Sequence, residues 1–393
     1  MITNDVDHLF GAVGNDWLVS NGGDTIDGGV GVDTLDIDLS GTAIARNFNL
    51  AGNVASGITS VLAGTITDVE TIRLWAGLGN DTITGSDGAD VFSGGAGDDS
   101  LVGGLGNDTI YSGSGNDRVL GGDGDDVLYQ STIVSVAAFG AFGGVGGPAS
   151  STSSFDGGVG NDFIQVSSNG AVAIGGSGTD TLEVVSASMA NISIDLNVNA
   201  AGAILGVFGV SASEFEEYQI TTSGGNDTLL GSANRDTLTS GAGNDSLNGR
   251  EGNDSLAGGD GSDTLTGGSG ADTFTVMINT TGNDTITDFN AAEDVLNVSG
   301  VALSIANNID ADGDGQADDA RITSSNGATL TLLNASFGIL TGTAGDDSIL
   351  GQGTSDTING LDGNDTLNGG AGNDVIDGVR AMTAWMPHKV LTA

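Results

Sequence analysis

Polar and apolar positions recur every nine residues in the central part of the chain. From Ala76 to Tyr129 the sequence consists of six contiguous nonapeptides: AGLGNDTIT, GSDGADVFS, GGAGDDSLV, GGLGNDTIY, SGSGNDRVL and GGDGDDVLY. Position four is always glycine, position six is always aspartate and position eight is always apolar. The alternation at positions seven to nine predicts a very short β-strand with one inward side chain. A fixed period of this kind indicates a repeat architecture.

Such a unit is too short to be stable alone, so the units are expected to stack. The first six residues predict a tight turn, because glycine and asparagine adopt positive φ angles at little cost. Stacking aligns the position-eight side chains in a thin continuous core and pairs the short strands in parallel. A disordered Gly/Asp-rich linker would not need an apolar residue at a fixed phase. The pattern therefore predicts an all-β solenoid.

The aspartates at position six indicate a cation site in each turn. Stacked turns place carboxylates and backbone carbonyls in a row, and this row repels itself unless a hard cation lies between the turns. Several oxygen ligands in a flexible loop suit Ca²⁺ better than Mg²⁺ or Zn²⁺. The predicted ligands in the central block are Asp81, Asp90, Asp99, Asp108, Asp117 and Asp126.

These nonapeptides resemble the GGxGxDxUx repeat of the RTX (repeats-in-toxin) family, the haemolysin-type calcium-binding proteins. The resemblance implies a parallel β-roll with two nonapeptides in each coil. It also implies calcium ions between turns on the same side of the roll, held by position-six aspartate side chains and turn carbonyls.

The same pattern occurs in four other segments. The predicted ligands there are Asp16, Asp24 and Asp33 near the N-terminus, Asp162 and Asp180 after the central block, Asp227, Asp236, Asp245, Asp254, Asp263 and Asp272 in a second six-unit run, and Asp347, Asp356, Asp365 and Asp374 in a final four-unit run. An apolar residue follows each of these 21 aspartates two positions later, which argues against chance. The unit between Asp162 and Asp180 has Ala171 at position six, so we expect weak or no calcium binding in that block.

Two longer segments depart from the nonapeptide and match each other. The sequence VETIRL at 69–74 corresponds to FEEYQI at 215–220, and alternating apolar residues precede both. We interpret these segments as β-coils without metal that continue the stack. The predicted organisation is a partial array at 1–36, a strand-rich spacer at 37–74, a six-unit array at 75–129, an uncharged loop at 130–156, degenerate units at 157–183, a second spacer at 184–221, a six-unit array at 222–275, an end-cap, acidic loop and hairpin at 276–338, a four-unit array at 339–378, and an atypical tail at 379–393.

The segment at 276–338 carries a second candidate calcium loop. The sequence DADGDGQAD places Asp310, Asp312, Asp314 and Asp318 at positions one, three, five and nine of an EF-hand-type loop, with glycine at position six. Position twelve is Arg321 instead of the bidentate glutamate, and Asp319 is a candidate substitute. A plain acidic turn is the alternative interpretation. The following RITSS-NG-ATLTLL predicts a β-hairpin, and Ile286, Phe289, Val295, Leu296 and Val298 are predicted to cover the open end of the stack.

The amino-acid composition limits the kinds of partner that the protein can bind. The 393 residues include 70 glycines, no cysteine and 52 acidic against eight basic residues, giving a formal charge of −44. This charge argues against nucleic acid as a partner, because phosphate binding needs clustered Lys and Arg. Self-repulsion should keep the metal-free chain expanded, and bound Ca²⁺ would neutralise it. Without disulfides, metal is the expected stabiliser.

Known catalytic signatures do not occur in the sequence. The histidines are His8 and His388, so neither an HExxH zinc helix nor a His-based triad is possible, and there is no GxSxG nucleophile elbow. Acid–base carboxylate pairs are compatible with the composition, but the metal turns account for nearly all acids. The tryptophans Trp17, Trp75 and Trp385 are scattered along the sequence, so no sugar-stacking platform is expected.

These observations predict a non-enzymatic, secreted calcium-binding protein that folds outside the cell. Residues 1–20 lack the basic and apolar regions of a signal peptide, so we expect type I export, and we expect no integral membrane span. Two functions remain open. One is a surface, adhesive or structural element with a cell surface, glycan or matrix as partner. The other is the folding and export module of a larger toxin or degradative enzyme.

Overall fold

A computed structural model describes residues 7–20, 24–40, 47–49, 66–130, 153–166, 171–185, 192–196, 203–205, 210–277, 282–290, 292–299, 303–309, 319–324, 328–333, 339–341, 347–350, 357–369 and 375–378. These residues form strands, turns and bends only, which confirms the all-β class. None of them belongs to a helix with the length and hydropathy needed to span a bilayer. The chain divides into two compact units, one of Met1–Ala187 with Ser193–Thr221 and one of Ser188–Ile192 with Thr222–Ala393.

The strands described in the first unit are short. They are β1 (His8–Phe10), β2 (Trp17–Ser20), β3 (Thr25–Asp27), β4 (Thr34–Asp38), β5 (Asn47–Asn49), β6 (Ile66–Thr67), β7 (Thr71–Trp75), β8 (Thr82–Thr84), β9 (Val91–Ser93), β10 (Ser100–Leu105), β11 (Thr109–Tyr111), β12 (Arg118–Asp123), β13 (Val127–Tyr129), β14 (Ser154–Val159), β15 (Phe163–Val166), β16 (Val172–Ser177), β17 (Thr181–Val185), β18 (Ser193–Asp195), β19 (Ala203–Leu205), β20 (Val210–Ser213) and β21 (Glu217–Thr221).

The second unit continues the series. Its described strands are β22 (Thr228–Leu230), β23 (Asp236–Thr239), β24 (Ser246–Glu251), β25 (Ser255–Ala257), β26 (Thr264–Ser269), β27 (Thr273–Met277), β28 (Asn283–Ile286), β29 (Val295–Ser299), β30 (Leu303–Ile309), β31 (Asp319–Ser324), β32 (Thr329–Leu332), β33 (Ile339–Thr341), β34 (Ser348–Leu350), β35 (Thr357–Asn359), β36 (Thr366–Asn368) and β37 (Val375–Asp377).

Successive strands of the first unit alternate between two sheets. One sheet runs β2-β4-β7-β9-β11-β13-β15-β17-β21 and the other runs β5-β8-β10-β12-β14-β16-β20-β19, while β1, β3 and β6 form a smaller sheet. Leu101 pairs in parallel with Ile83 and with Val119, each 18 residues away. One coil therefore contains two nonapeptides, which confirms the parallel β-roll.

The core is a thin column of position-eight side chains from both sheets. Its members in the central block are at most 1% exposed: Ile83, Phe92, Leu101, Ile110, Val119 and Leu128. Burying one such side chain contributes about 1.5–3 kcal/mol. Because each coil provides only a few of them, stability depends on contacts between neighbouring coils.

Glycine in the turns allows the coils to stack closely. Gly115, at position four of its unit, has φ 139°, a conformation that L side chains rarely adopt. A Cβ at this residue would overlap the carbonyl oxygen of Gly97, one coil earlier. The glycine pattern in the sequence therefore reflects the close approach of successive turns.

The predicted loop at 130–156 is shorter than expected. Strand β14 begins at Ser154 and pairs with β12, placing Phe155 opposite Val119. Phe155 is fully buried, and Ser153 occupies position six of this coil. The repeat was missed in the sequence because serine replaces the aspartate there. Residues 131–152 lie outside the described part of the chain.

The two spacers share one turn structure. Asp68 and Glu214 both adopt positive φ, 51° and 62°. The following residues, Val69 and Phe215, are buried. Strands β7 and β21 then join the same sheet as the nonapeptide strands, in parallel register with β4 and β17. The correspondence between VETIRL and FEEYQI is thus confirmed, and both segments continue the stack.

The second unit contains further coils and a hairpin element. One set of strands runs β23-β25-β27-β29, a second runs β22-β24-β26-β28-β32-β31-β30-β34-β36, and β33, β35 and β37 form a third. Strands β31 and β32 pair antiparallel, which confirms the predicted hairpin. Among the residues predicted to cover the open end of the stack, Ile286 and Phe289 are buried, but Val295 is 52% exposed. The inclusion of Val295 was wrong, because it precedes the inward residue of β29 and faces outward.

Candidate metal centre

The position-six aspartates join successive coils through one carboxylate oxygen. In the central block Oδ1 of Asp99 accepts a hydrogen bond from the backbone amide of Asp81 at 2.7 Å. Oδ1 of Asp126 likewise accepts from the amide of Asp108 at 2.8 Å, and Oδ1 of Asp108 from Asp90 at 2.8 Å. The interval is always one coil. Each aspartate thus links its turn to the equivalent turn one coil earlier.

The second oxygen of many of these carboxylates is buried without a hydrogen-bond donor among the described residues. This holds for Oδ2 of Asp16, Asp33, Asp99, Asp108, Asp126, Asp162, Asp180, Asp254 and Asp263. A buried acceptor without a partner destabilises the fold unless a ligand satisfies it. These oxygens are therefore the strongest structural indication of a bound cation.

Glycine at position one lies against each unpaired oxygen, where a side chain would not fit. A Cβ at Gly103 would overlap both Oδ2 of Asp108 and the carbonyl oxygen of Gly121 in the next coil. At Gly121 the overlapping atoms would be Oδ2 of Asp126 and the carbonyl oxygen of Gly157. A carboxylate oxygen and a backbone carbonyl oxygen from adjacent coils therefore lie close together, against the same glycine.

Burial makes these carboxyls hard to ionise in the absence of a cation. Burial raises their pKa most, a backbone hydrogen bond lowers it, and repulsion from neighbouring acids raises it further. The resulting pKa is about 8 for Asp108, about 7 for Asp99, Asp126, Asp254 and Asp284, and about 6 for Asp162 and Asp263. A divalent cation reverses this effect, because it stabilises the ionised form directly.

The donors fit calcium. They are oxygens of one carboxylate and of backbone carbonyls on glycine-rich turns, the ligand type that Ca²⁺ prefers. No three acidic or imidazole side chains converge into a metal-holding cluster within the described ranges.

Some position-six aspartates are instead satisfied by a nearby hydroxyl. Ser86 donates to Asp90 through its backbone amide at 2.5 Å and through Oγ at 2.9 Å. Ser232 makes the same contacts to Asp236. Thr222 donates to Oδ2 of Asp227, and Ser20 to Oδ2 of Asp24. We refer to Asp24, Asp90, Asp227 and Asp236 as the hydroxyl-capped aspartates.

The hydroxyl caps were missed in the sequence. Outside the block of Asp162 and Asp180, the position-six aspartates were treated as equivalent ligands, although a serine or threonine stands four or five residues before each capped one. In the nonapeptides that contain Asp90 and Asp236, the serine replaces the usual glycine at position two. That substitution is the signal that distinguishes them.

Glutamate takes the same bridging role in the two spacers. The amide of Asp33 donates to Oε2 of Glu70 at 2.9 Å, and the amide of Asp180 donates to Oε2 of Glu216 at 2.8 Å. A longer carboxylate thereby continues the row where the glycine-rich turn is missing. Sequence reasoning did not assign a role to either glutamate.

Two further acids extend the row beyond the second six-unit array. Oδ1 of Asp284 accepts from the amide of Asp263 at 3.0 Å, and Oδ1 of Asp294 accepts from Asp272 at 2.9 Å. The intervals are 21 and 22 residues. A search at multiples of nine therefore overlooks both acids.

The block around Asp162 was expected to bind calcium weakly or not at all, and its two edges differ in this respect. The amide of Asp117 donates to Oγ of Ser153, and the next coil has the buried Ala171 with no side-chain oxygen. On the other edge Asp162 and Asp180 keep the bond and the unpaired oxygen seen at Asp108 and Asp126. The expectation of weak or no binding therefore finds geometric support only on the first edge.

The remaining predicted ligands are partly outside the described chain. Oδ1 of Asp365 accepts from the amide of Asp347 at 3.0 Å, and Oδ1 of Asp33 accepts from Asp16 at 2.8 Å. Residues outside the described ranges are Asp310, Asp312, Asp314, Asp318, Asp356 and Asp374. Their predicted roles stay predictions.

A second, exposed row runs along position five. Oδ1 of Asn80 accepts from the amide of Asp98 at 3.0 Å, and Oδ1 of Asp98 accepts from Asn116 at 2.9 Å. Asp125 plays this part for Asn161 at 2.8 Å. The two acids of an Asp-Asp pair thus have different tasks, since one is exposed and the other is buried.

Comparison with known proteins identifies the repeats that carry these aspartates. The family model described as RTX calcium-binding nonapeptide repeat (4 copies) matches residues 2–35, 73–101, 93–128, 221–256, 248–275, 338–366 and 350–379. Among solved structures, the extracellular lipase LipA from Serratia marcescens is 19% identical over 69% of this chain and 44% of the lipase chain, with a TM-score of 0.19. No curated protein matches the sequence. The chain therefore contains RTX calcium-binding nonapeptide repeats in multiple copies, and the matched segments cover slightly less than half of its length.

Proposed function

We propose that this chain is a secreted, non-enzymatic calcium-binding protein whose roll folds when several Ca²⁺ ions bind outside the cell. One observation carries the proposal: buried position-six carboxylates with an unpaired oxygen recur coil after coil, each beside a carbonyl oxygen of the next turn. The RTX repeats that contain them are calcium-binding repeats.

The chain's own residues define what the metal must supply. Asp108 and Asp126 provide unpaired carboxylate oxygens, and Gly121 and Gly157 provide carbonyl oxygens at the same places. Bound Ca²⁺ supplies the positive charge that offsets a buried carboxylate, whose burial unpaired is strongly unfavourable. Extracellular calcium modules saturate at about 10⁻⁴–10⁻³ M, so mass action favours the folded roll outside the cell.

The structure favours calcium binding at some position-six aspartates over others. We assign Ca²⁺ to the aspartates with an unpaired Oδ2, such as Asp99, Asp108 and Asp126, and not to the hydroxyl-capped aspartates. A hydroxyl donor occupies the lone pair that a cation would otherwise use, so the capped turns are satisfied without metal.

The adjacent acids Asp125 and Asp126 provide a matched test. Asp126→Asn keeps the oxygen that bonds the amide of Asp108 but replaces the unpaired oxygen with a nitrogen that cannot bind Ca²⁺. Asp125→Asn removes the same charge from an exposed side chain. We expect Asp126→Asn to raise the calcium midpoint of folding about tenfold, because ligand charge sets affinity in calcium loops.

Circular dichroism during calcium titration measures both midpoints. Asp125→Asn should fold at nearly the wild-type calcium concentration. Equal midpoints for the two variants would contradict the assignment of calcium to position six.

A further inference from the structure

One interface between coils in the second unit is closed by the chain's own polar groups. It joins the coil of residues 222–239 to the coil of residues 240–257, through the parallel strand pairs β22–β24 and β23–β25. Both position-six residues of the first coil, Asp227 and Asp236, belong to the hydroxyl-capped aspartates. We call this interface the hydroxyl-closed junction.

The Thr222 hydroxyl bridges two oxygens that correspond to the proposed calcium ligands. Its Oγ1 lies 2.5 Å from Oδ2 of Asp227 and 2.7 Å from the carbonyl oxygen of Ser240, in the next coil. In the first unit the equivalent atoms are Oδ2 of Asp108 and the carbonyl oxygen of Gly121, where that Oδ2 has no donor in the described part of the chain. Thr222 is buried and replaces the usual glycine at position one. A side-chain hydroxyl thus stands where the metal would bind.

An arginine supplies a positive charge on the other edge of the same junction. Arg250 belongs to the second coil, and its Nη1 donates to the carbonyl oxygen of Gly231 in the first coil at 2.6 Å. Arg250 occupies position two of its nonapeptide, where glycine is usual, and has φ 77°. L side chains rarely adopt this conformation, which persists only where surrounding contacts maintain it. The guanidinium therefore gives the junction a fixed cation, the kind of charge that calcium would provide.

The next junction along the second unit is closed on one edge only. There the Ser240 hydroxyl donates to the carbonyl oxygen of Gly258 at 2.8 Å. On the other edge Oδ2 of Asp254 is buried with no donor among the described residues, close to the carbonyl oxygen of Gly267. One coil further, Oδ2 of Asp263 is buried in the same way. Complete closure by protein groups is therefore a property of the first junction and not of this whole array.

Closure by protein groups removes the need for calcium at one junction. A buried carboxylate oxygen without a donor destabilises the fold until a ligand satisfies it, whereas one that already has a donor does not. The junction also has its share of the apolar core, because Leu229 and Leu238 of the first coil and Leu247 and Leu256 of the second are fully buried. We infer that the hydroxyl-closed junction forms without a calcium ion of its own and is the part of the second unit that folds at the lowest calcium concentration. The inference rests on the proposed function, because it takes the other junctions to fold on calcium binding.

Hydrogen exchange of the full chain over a series of buffered free calcium concentrations tests this order of folding. Amides of residues 222–257 should become protected at a free calcium concentration about threefold or more below that needed for β26 and β27, because fewer ions must bind. Protection of both segments at the same concentration, or of β26 and β27 first, would overturn the inference. Circular dichroism of the same samples measures calcium-dependent folding of the chain as a whole, so a failure of the proposed function would appear separately as the absence of any calcium effect.

Thr222→Gly restores the usual glycine at position one and removes the bridging hydroxyl. The variant should bind one more calcium ion per chain, counted by native mass spectrometry, because Oδ2 of Asp227 and the Ser240 carbonyl then match the unpaired sites. The calcium midpoint of residues 222–257 should rise to that of β26 and β27. Thr222→Ser keeps the hydroxyl and should behave like the wild type. Weaker protection in Thr222→Gly without an added ion would show that Thr222 only packs, contrary to the inference.

Ser223→Gly is the matched control for added backbone freedom. Ser223 is the exposed neighbour of Thr222 and stands at position two, where glycine is also usual. The folding order and the number of bound ions should stay those of the wild type. A shift as large as that of Thr222→Gly would assign the effect to the backbone and contradict the role of the hydroxyl.

Arg250→Gly tests the fixed cation. Glycine adopts the positive φ of this position without strain, but the carbonyl oxygen of Gly231 loses its donor. We expect the calcium midpoint of residues 222–257 to rise in this variant, and Arg250→Lys to recover part of the difference because it retains the charge. A midpoint at or below that of the wild type in Arg250→Gly would contradict the part assigned to Arg250.

Discussion

At the scale of the residue, one aspartate carboxylate performs two tasks. Oδ1 of Asp108 is fixed by the amide of Asp90, and Oδ2 is buried beside the Gly121 carbonyl with no donor in the described part of the chain. The first task needs only an acceptor, which asparagine or serine also provides. The second needs a negative oxygen, so it explains why aspartate recurs at position six.

Ser86→Gly tests the distinction between capped and unpaired aspartates. The change converts GSDGAD to GGDGAD, the common pattern of the repeat, and removes the Oγ that donates to Asp90, while the backbone amide of residue 86 remains. We expect the variant to bind one more calcium ion per chain than the wild type, because without the hydroxyl the carboxylate can become a ligand. Isothermal titration calorimetry and native mass spectrometry give the stoichiometry.

Ser114→Gly is the control for added backbone freedom, since Ser114 lies at position three of another turn. It should leave the stoichiometry unchanged. An unchanged stoichiometry in Ser86→Gly as well would show that hydroxyl capping does not decide where calcium binds.

At the scale of the element, the coil could be predicted because every coil buries the same kind of side chain. Ile110 and Leu128 at position eight, and Gly115 at position four, follow directly from the nine-residue period. Stacking in parallel also follows, since no single coil has a core. The all-β roll and its aspartate rows were therefore visible in the sequence.

Other features could not be predicted because they depend on the register between coils. Glu70 and Asp284 join the rows at intervals that are not multiples of nine. Ser153 supports a coil that lacks the aspartate used to recognise the repeat. Trp17 meets Arg73 only after a long spacer has closed its coil.

The stacked carboxyls predict how the metal-free roll responds to pH. Burial raises the pKa of Asp108 to about 8 and that of Asp99 and Asp126 to about 7, from an ordinary value of 3.8. Between about pH 4 and pH 8 the folded state therefore binds more protons than the unfolded state, so stability rises as pH falls. We expect the chain in chelator to gain β-structure on acidification from pH 8 to pH 5.

Circular dichroism in chelator across this pH range checks the expectation. A parallel series at pH 8 with added salt is the control, because salt screens long-range repulsion without protonating buried carboxyls. Less β-structure at pH 5 than at pH 8 would contradict the raised pKa values, and equal recovery in salt would assign the effect to net charge instead.

At the scale of the whole molecule, charge and fold are coupled. The chain carries 52 acidic residues against eight basic ones and has no cysteine. Repulsion among these acids opposes the compact state, and each unpaired position-six carboxylate adds a desolvation penalty on folding. Bound calcium would offset both effects at once, so folding and metal binding are expected to be one event.

The most direct test of this account compares the purified chain in chelator and in millimolar calcium at pH 7.5. Far-ultraviolet circular dichroism should show a β spectrum and a cooperative melting transition in calcium, and an expanded, largely unstructured chain in chelator that refolds when calcium is restored. The same β spectrum and the same melting temperature in both solutions would contradict the claim that calcium stabilises the stacked turns.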